Sequence, residues 1–333
     1  MITEKSEEGR IGRVLRGVGG IYTVSLDGGG CISCRVRGSV RAPGVGETRT
    51  AGAYNTEARL DRVLCGDMVR VTAEDAARAD AADGSGGVIS EILPRRNALI
   101  RPPLANIDYI FAAVAAARPT PILPTLDKLI SIAEYNSIEP VIIIGKCELD
   151  RERTAELTDI YRRAGFRVFP LSCATGEGVG DVSAFIDSLP RGSVSAFAGA
   201  SGVGKSTLMN ALFPELSLRT AGVSEKIGRG RHTTRAAVLY PLSGGGYLAD
   251  TPGFSLLDFE SFDFFGLDDL PGTMREFKKY LGGCRYSDCT HTKEEDCAIV
   301  RAVKNGEISA ARHASYLEMY SALRSKPFWG KGK

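Results

Sequence analysis

The stretch Gly199-Ala-Ser-Gly-Val-Gly-Lys-Ser-Thr207 constrains the fold more than anything else in the chain. It matches Gly-x-x-x-x-Gly-Lys-Ser/Thr at every fixed position. The spacing follows from the ligand it serves. Glycines let consecutive backbone N–H groups turn inward around phosphate oxygens. Lys205 is placed to reach β- and γ-phosphates, and the Ser206 hydroxyl to ligate Mg²⁺. The helix expected over "STLMNAL" aims the positive end of its dipole at the same anion. A buried strand, "SVSAFAG", leads into the loop. The candidate phosphate-binding residues are therefore Gly199, Ala200, Ser201, Gly202, Val203, Gly204, Lys205, Ser206 and Thr207.

More than half of the 333-residue chain precedes this loop. That length suits two or three cores of about 100–200 residues each. From Gly12 to about Leu93, short alternating apolar and polar runs are broken by glycine, as in "GRVLRGVGGIYTVSL", "GGGCISCRVRGSVR", "GDMVRV" and "GVISEIL". These predict a small Greek-key barrel, of which an oligonucleotide-binding (OB) barrel is one design among several. "RRNALIRPP" is basic and proline-rich and is expected to be a linker. Beyond it, apolar runs ("IDYIFAAVAAA", "PVIIIG", "RVFPLS", "SVSAFAG") alternate with helical patterns ("TLDKLISIAEYNS", "ELTDIYRRAGF", "VGDVSAFIDSL"). Such alternation predicts a parallel sheet covered on both faces. After about Phe259 the pattern becomes short helices around a cysteine cluster. The expected units are 1–94, 95–262 and 263–333.

"YLADTPGF" supplies a second half for the phosphate site. Asp250 ends an apolar run and is expected to hold Mg²⁺ through water, and Gly253 to offer its N–H to the γ-phosphate. Within "GRGRHTTR", Thr234 is preferred over Thr233 as a further Mg²⁺ ligand and γ-phosphate sensor. Guanine-nucleotide proteins select their base with Asn-Lys-x-Asp after one strand and a Ser-Ala-Lys-like loop after the next. The matching points here are Gly145, Lys146 and Glu148 in "VIIIGKCELD", and Ser172, Cys173 and Ala174 in "FPLSCATGEG". Both come before the phosphate loop rather than after it. A doubly wound sheet tolerates that order, because every ligand loop lies at the carboxyl ends of the strands wherever the chain is cut.

Cys284-x₄-Cys289-x-His291-x₅-Cys297 brings three thiols and an imidazole into one short segment. Four such donors favour tetrahedral Zn²⁺ in a closed, structural site. Cys31 and Cys34 lie three apart in an expected strand, so they point to opposite faces and are read as structural. The net charge of +2 excludes a globally basic nucleic-acid binder. Local patches remain: "RRNALIR", "KIGRGRHTTR" and "RSKPFWGKGK", the last with Phe328 and Trp329 to stack on bases. No apolar run reaches the roughly 18 residues of a membrane span, and no signal peptide is evident. Eight cysteines without a disulfide pattern suit a reducing compartment, so a cytoplasmic protein without membrane contact is expected.

Taken together, the motif order, the preceding barrel, "RGRHTTR", "DTPGF" and the Cys/His cluster resemble the ribosome small-subunit-dependent GTPase family (RsgA type) over nearly the whole chain. The resemblance implies an OB barrel, a circularly permuted α/β P-loop GTPase domain and an α-helical zinc domain with a basic tail. It implies hydrolysis of GTP to GDP late in small-subunit assembly, stimulated by the subunit, with Mg²⁺ and one structural Zn²⁺. The implied partners are the small ribosomal subunit and its rRNA, with the protein itself a monomer. It also points to His232 for hydrolysis, beside Lys205 and Thr234. Phe254 stands where Ras-like enzymes carry a water-positioning glutamine, so slow intrinsic turnover is expected. Gly145 and Glu148 depart from the family's Asn/Thr and Asp, which implies weaker or less selective guanine binding. Two other readings stay open: an RNA-binding scaffold with a vestigial nucleotide site, and an ATP-dependent enzyme.

Overall fold

A computed structural model describes residues 9–38, 40–43, 62–73, 86–100, 102–214, 216, 237–250 and 265–325. His232, Thr233, Thr234, Gly253, Phe254 and the tail from Lys326 onward lie outside the described residues.

Strands β1 (Arg10–Val18), β2 (Ile21–Leu26), β3 (Cys31–Val36), β4 (Met68–Ala73) and β5 (Gly87–Ile92) run in the order β1-β2-β3-β5-β4, and β4 pairs back onto β1. The ring is closed, so its strands present no unpaired edge there. β3 and β5 are parallel and the remaining pairs antiparallel. The alternation read from the sequence points Val14, Val24, Cys34, Val69 and Ile89 into the barrel, each fully buried. Cys31 is exposed while Cys34 is buried, so the two thiols do lie on opposite faces.

The expected linker is ordered structure instead. β6 (Ala98–Ile100) and β7 (Pro103–Ala105) form a hairpin around buried Leu99 and Leu104. Arg95 is not a surface cation: its side chain is fully buried and forks onto Asp67, Nε to Oδ1 at 2.6 Å and Nη2 to Oδ2 at 2.7 Å. Asp67 also accepts from the Leu64 N–H at 2.7 Å. Asn97 exchanges two hydrogen bonds with the Ile107 backbone, at 2.8 and 2.9 Å. The Asn106 amide donates to the Gly66 carbonyl at 3.1 Å. Polar side chains thus take over backbone satisfaction where proline limits the ladder, and the segment splints the barrel to the next unit.

That unit contains β8 (Tyr109–Ala115), α1 (Leu123–Tyr135), β9 (Glu139–Gly145), α2 (Arg151–Arg163), β10 (Arg167–Pro170), α3 (Val179–Asp187), β11 (Val194–Gly199), α4 (Lys205–Leu212), β12 (Val238–Pro241) and β13 (Tyr247–Asp250). The spatial order is β10-β9-β8-β11-β13-β12, parallel except for β12. Alternate residues of the apolar runs enter two cores. Ile110, Ala112, Val114, Ile142 and Ile144 pack with α1 and α2. Phe111, Ala113, Val141, Ile143 and Phe197 pack with α3 and α4. Double coverage explains why the strands read as unbroken hydrophobic stretches. β12 also meets β1 through Arg16 and Val238, which joins barrel and sheet.

The remainder holds α5 (Leu270–Thr273), a 3₁₀ turn (Arg275–Phe277), α6 (Ala298–Lys304) and α7 (Ala310–Arg324). Its anchor is Arg312 on α7, fully buried between Asp127 of α1 (Nη1 to Oδ1, 2.5 Å) and Glu276 (Nε to Oε1, 2.7 Å). The Tyr161 hydroxyl of α2 donates to the same Asp127 oxygen at 2.9 Å. Outside this knot, Arg275 bridges Glu134 and Glu139, extending the clamp to α1 and β9.

Candidate nucleotide site and metal centre

The ligand loops follow from the topology. β8, β9, β10, β11 and β13 are parallel, so their carboxyl ends share one edge of the sheet. The strand order reverses between β8 and β11, which opens a crevice there. A cavity of about 340 Å³ fills that crevice. Gly145, Lys146 and Glu148 line it from the loop after β9, and Cys173 and Ala174 from the loop after β10. Val203 and Gly204 line it from the loop after β11, and Lys205 and Thr207 from the first turn of α4. The segments that precede and form the phosphate loop in sequence therefore face one space.

Two glycines make the phosphate loop possible. Gly199 has φ +148°, and a Cβ there would stand 2.3 Å from the Ala113 carbonyl oxygen. Gly204 caps α4 at φ +103°. α4 then begins at Lys205, so its free N–H groups open onto the cavity. The Lys205 ammonium donates to the Gly199 and Ala200 carbonyls at 2.7 and 2.8 Å, and burial holds its pKa below the ordinary lysine value. Ser206 is exposed beside it. Asp250 ends β13, one residue after Ala249 pairs with Ala196 of β11, and burial raises its carboxyl above the usual range. Of the expected Mg²⁺ ligands, Ser206 lies on α4, which follows β11, and Asp250 ends β13, the strand paired with β11. Ala200, Ser201 and Gly202 complete the loop; Ser201 and Gly202 are exposed.

The base side is held by contacts that the motif alone does not reveal. Lys146 adopts a left-handed conformation, φ +58°. Its ammonium donates to the Gly202 carbonyl at 2.8 Å and also to the Arg118 carbonyl. This ties together the loops after β8, β9 and β11. Gly145 is buried, and a Cβ on it would sit 3.1 Å from the Val203 carbonyl oxygen, so the two loops are nearly in contact. Glu148 keeps one carboxylate oxygen, Oε2, buried and without a hydrogen-bond partner among the described residues. A buried carboxylate oxygen without a donor is costly, and the N1–H and N2–H groups of guanine are the kind of donors it lacks. Ser172 is buried with Oγ accepting from the Thr175 N–H at 3.2 Å, which shapes the second base loop. A bidentate pair, Arg151 to Glu177 at 2.6 Å for both bonds, pins that loop to the start of α2. Arg118 also lines the cavity. Sequence reasoning missed it; its only signal is "ARPTP" directly after a buried strand.

The cysteine cluster is assembled. The donor atoms of Cys284, Cys289, His291 and Cys297 all lie within 4.8 Å of one another. Cys284 Sγ is 3.8 Å from Cys297 Sγ, and each is 3.5 Å from His291 Nδ1. A tetrahedron with metal–sulfur bonds of about 2.3 Å has edges of roughly 3.8 Å, so the four donors fit such an ion. Outer contacts fix the loop. His313 of α7 hydrogen-bonds the His291 carbonyl at 2.9 Å, and the Tyr316 hydroxyl donates to the Thr290 carbonyl at 2.7 Å. Glu294 accepts from the N–H groups of Thr290, Thr292 and Lys293. Burial opposes its ionisation, but these bonds and the Thr290 hydroxyl bring it down to about 2. Burial pushes the Cys289 thiol up to about 12, so taking up a cation would release thiol protons.

A sequence model described as RsgA GTPase matches residues 92–260. The chain belongs to the RsgA GTPase family. Relatives agree over most of the chain. A protein of Caldanaerobacter subterraneus subsp. tengcongensis named small ribosomal subunit biogenesis GTPase RsgA is 36% identical over 316 residues, covering 95% of this chain and 96% of the relative. One of Moorella thermoacetica with the same name is 38% identical, covering 92% and 94%. Among solved structures, YloQ, described as a circularly permuted GTPase, superposes with a TM-score of 0.71 at 28% identity, covering 98% of this chain and 99% of that one. YjeQ from Thermotoga maritima superposes with a TM-score of 0.69 at 29% identity, covering 96% and 99%. The fold is thus a circularly permuted GTPase domain with a five-stranded N-terminal barrel and a C-terminal Cys/His cluster able to hold a metal. As an RsgA GTPase, the protein is a hydrolase acting on GTP.

Proposed function

We propose that this protein turns over GTP during biogenesis of the small ribosomal subunit, coupling nucleotide state to docking on the subunit's RNA. One observation carries the reading: the loops after β9 and β10 and the phosphate loop after β11 line a single cavity despite their reversed order in the chain. Glu148 accepts from the guanine edge, while Lys205 and the α4 N-terminus hold the phosphates. Lys205, on leaving the Gly199 and Ala200 carbonyls, meets the β- and γ-phosphates. Ser206, Thr234 and, through water, Asp250 would hold Mg²⁺, which when bound would neutralise charge on the phosphates. Gly253 donates its N–H to the γ-phosphate. His232 orients the attacking water through a ring nitrogen, since the Phe254 ring can do neither. Turnover is therefore slow until the subunit stimulates it.

Cys284, Cys289, His291 and Cys297 hold one structural Zn²⁺; four protein donors leave no open position for chemistry. The barrel and the basic switch and tail segments meet rRNA phosphates. The protein acts as a cytoplasmic monomer, with units at 1–94, 95–262 and 263–333. A second reading, an RNA-binding scaffold with a poorly base-selective site, draws on Gly145 and Glu148. Phosphate release from GTP and from ATP, with and without purified small subunits, separates them. The GTPase reading expects stimulation by subunits, selective for GTP, that His232→Ala abolishes. A scaffold gives no stimulated release.

A further inference from the structure

At the base end of the cavity the loop after β10 contributes Cys173 and Ala174, neither of which carries a charged donor. Guanine presents donors at N1 and N2 and acceptors at N7 and O6. Glu148 is an acceptor and serves only the first edge. Gly145, at the matching place on the β9 loop, has no side chain to serve the second, and the Val203 carbonyl leaves little room for one. Most side-chain cations of the cavity are committed. Lys146 is held by the Gly202 and Arg118 carbonyls, and Lys205 by Gly199 and Ala200 at the phosphate end. Arg118 differs. Its carbonyl is fixed by Lys146, so its backbone position is set, yet its guanidinium has no hydrogen-bond or ion-pair partner among the described residues. It lines the same cavity as Gly145 and Glu148.

Building on the GTPase reading above, we infer that Arg118 is a specificity-determining residue, donating its guanidinium N–H groups to the N7 and O6 edge of the guanine base. The chemistry is that of an arginine fork on guanine, whose spacing matches the N7/O6 pair. Adenine presents an amino donor in place of O6, so the same fork disfavours it. In this chain the β8 loop does from one side what a longer residue at position 145 would do from another.

The test is a binding cycle on the full-length protein with Mg²⁺, using GDP and 7-deaza-GDP, which lacks the N7 acceptor. The parent is expected to bind 7-deaza-GDP about tenfold or more weakly than GDP, the scale of a good arginine–guanine contact. Arg118→Ala is expected to lose a similar factor for GDP and to bind the two nucleotides within about twofold of each other. Because the Arg118 side chain is exposed and has no partner among the described residues, the variant should keep the parent's urea midpoint, which separates lost binding from lost folding. A variant that binds GDP like the parent overturns the assignment. So does a variant that loses GDP and 7-deaza-GDP by the same factor, since the contact would then be to ribose or phosphate. A parent that fails to hold GDP at all overturns the reading of the cavity as well, a result distinct from the other two.

Discussion

Replacing Arg312 by alanine attacks the joint between the helices around the Cys/His cluster and the nucleotide unit. The guanidinium is fully buried, bonded to Asp127 at 2.5 Å and to Glu276 at 2.7 and 3.1 Å. It also lies over the rings of Tyr161 and Phe166, at 5.7 and 5.5 Å. Removing it leaves two carboxylates sharing a buried site, and one Asp127 oxygen has no hydrogen-bond partner among the described residues. Breaking a buried pair from one side costs about 3–5 kcal/mol. The second carboxylate and the lost ring contacts place this case toward the upper end. The loss should depend on pH. Burial raises Asp127 above the usual carboxylate range even with Arg312 opposing it. Without the arginine its folded pKa rises further. A carboxyl whose folded pKa exceeds its unfolded one destabilises increasingly as pH rises from the unfolded value through the folded one. The deficit of Arg312→Ala should therefore be smaller at pH 5 than at pH 8. Urea unfolding followed by far-ultraviolet circular dichroism, metal present throughout, measures both. A deficit below about 1 kcal/mol, or one that does not change with pH, would refute the view of Arg312 as the charge that makes this joint tolerable. Replacing Arg312, Asp127 and Glu276 together by apolar residues should recover most of the loss, because a buried ion network is often no better than good packing.

Three further outcomes are expected. Glu148→Gln keeps the shape of the base pocket but loses the charge, and should weaken GDP binding by about 1.5–3 kcal/mol, roughly 10- to 150-fold, while leaving ADP binding unchanged; equal losses for both nucleotides by calorimetry would contradict it. Gly199→Ala forces a Cβ to 2.3 Å from the Ala113 carbonyl, so the loop must shift at a cost of about 1–3 kcal/mol, read as a lower urea midpoint together with loss of GDP binding. Cys297→Ser should lower bound metal from one ion per chain toward none and strip hydrogen-exchange protection from residues 284–316, since structural zinc supplies about 10–16 kcal/mol in comparable small sites; full protection without metal would show the cluster to be self-supporting.

How far the sequence spoke depended on range. The phosphate loop was legible because its residues act at fixed neighbouring positions, and the Cys/His cluster for the same reason. The doubly wound sheet was legible because strands buried on both faces leave unbroken apolar runs. The segment around Arg95 was misread as a linker: arginines and prolines suggest solvent, and nothing local announces that Asp67, 28 residues earlier, takes the charge into the interior. Arg312 and Asp127 are separated by 185 residues and look like ordinary surface positions on two amphipathic helices. Lys146 was legible as a loop residue after a buried strand, but its hold on the Arg118 and Gly202 carbonyls comes from backbone positions that no side-chain pattern encodes. Arg118 was missed for that reason.

A structure of the GDP–Mg²⁺ complex tests the central claim most directly. It should place the base in the crevice with Glu148 within hydrogen-bond reach of N1 and N2, while residues 199–206 wrap the phosphates of the same molecule. Phosphates in that loop with the purine lying away from Lys146 and Glu148 would mean that reordering the chain has not preserved a guanine site.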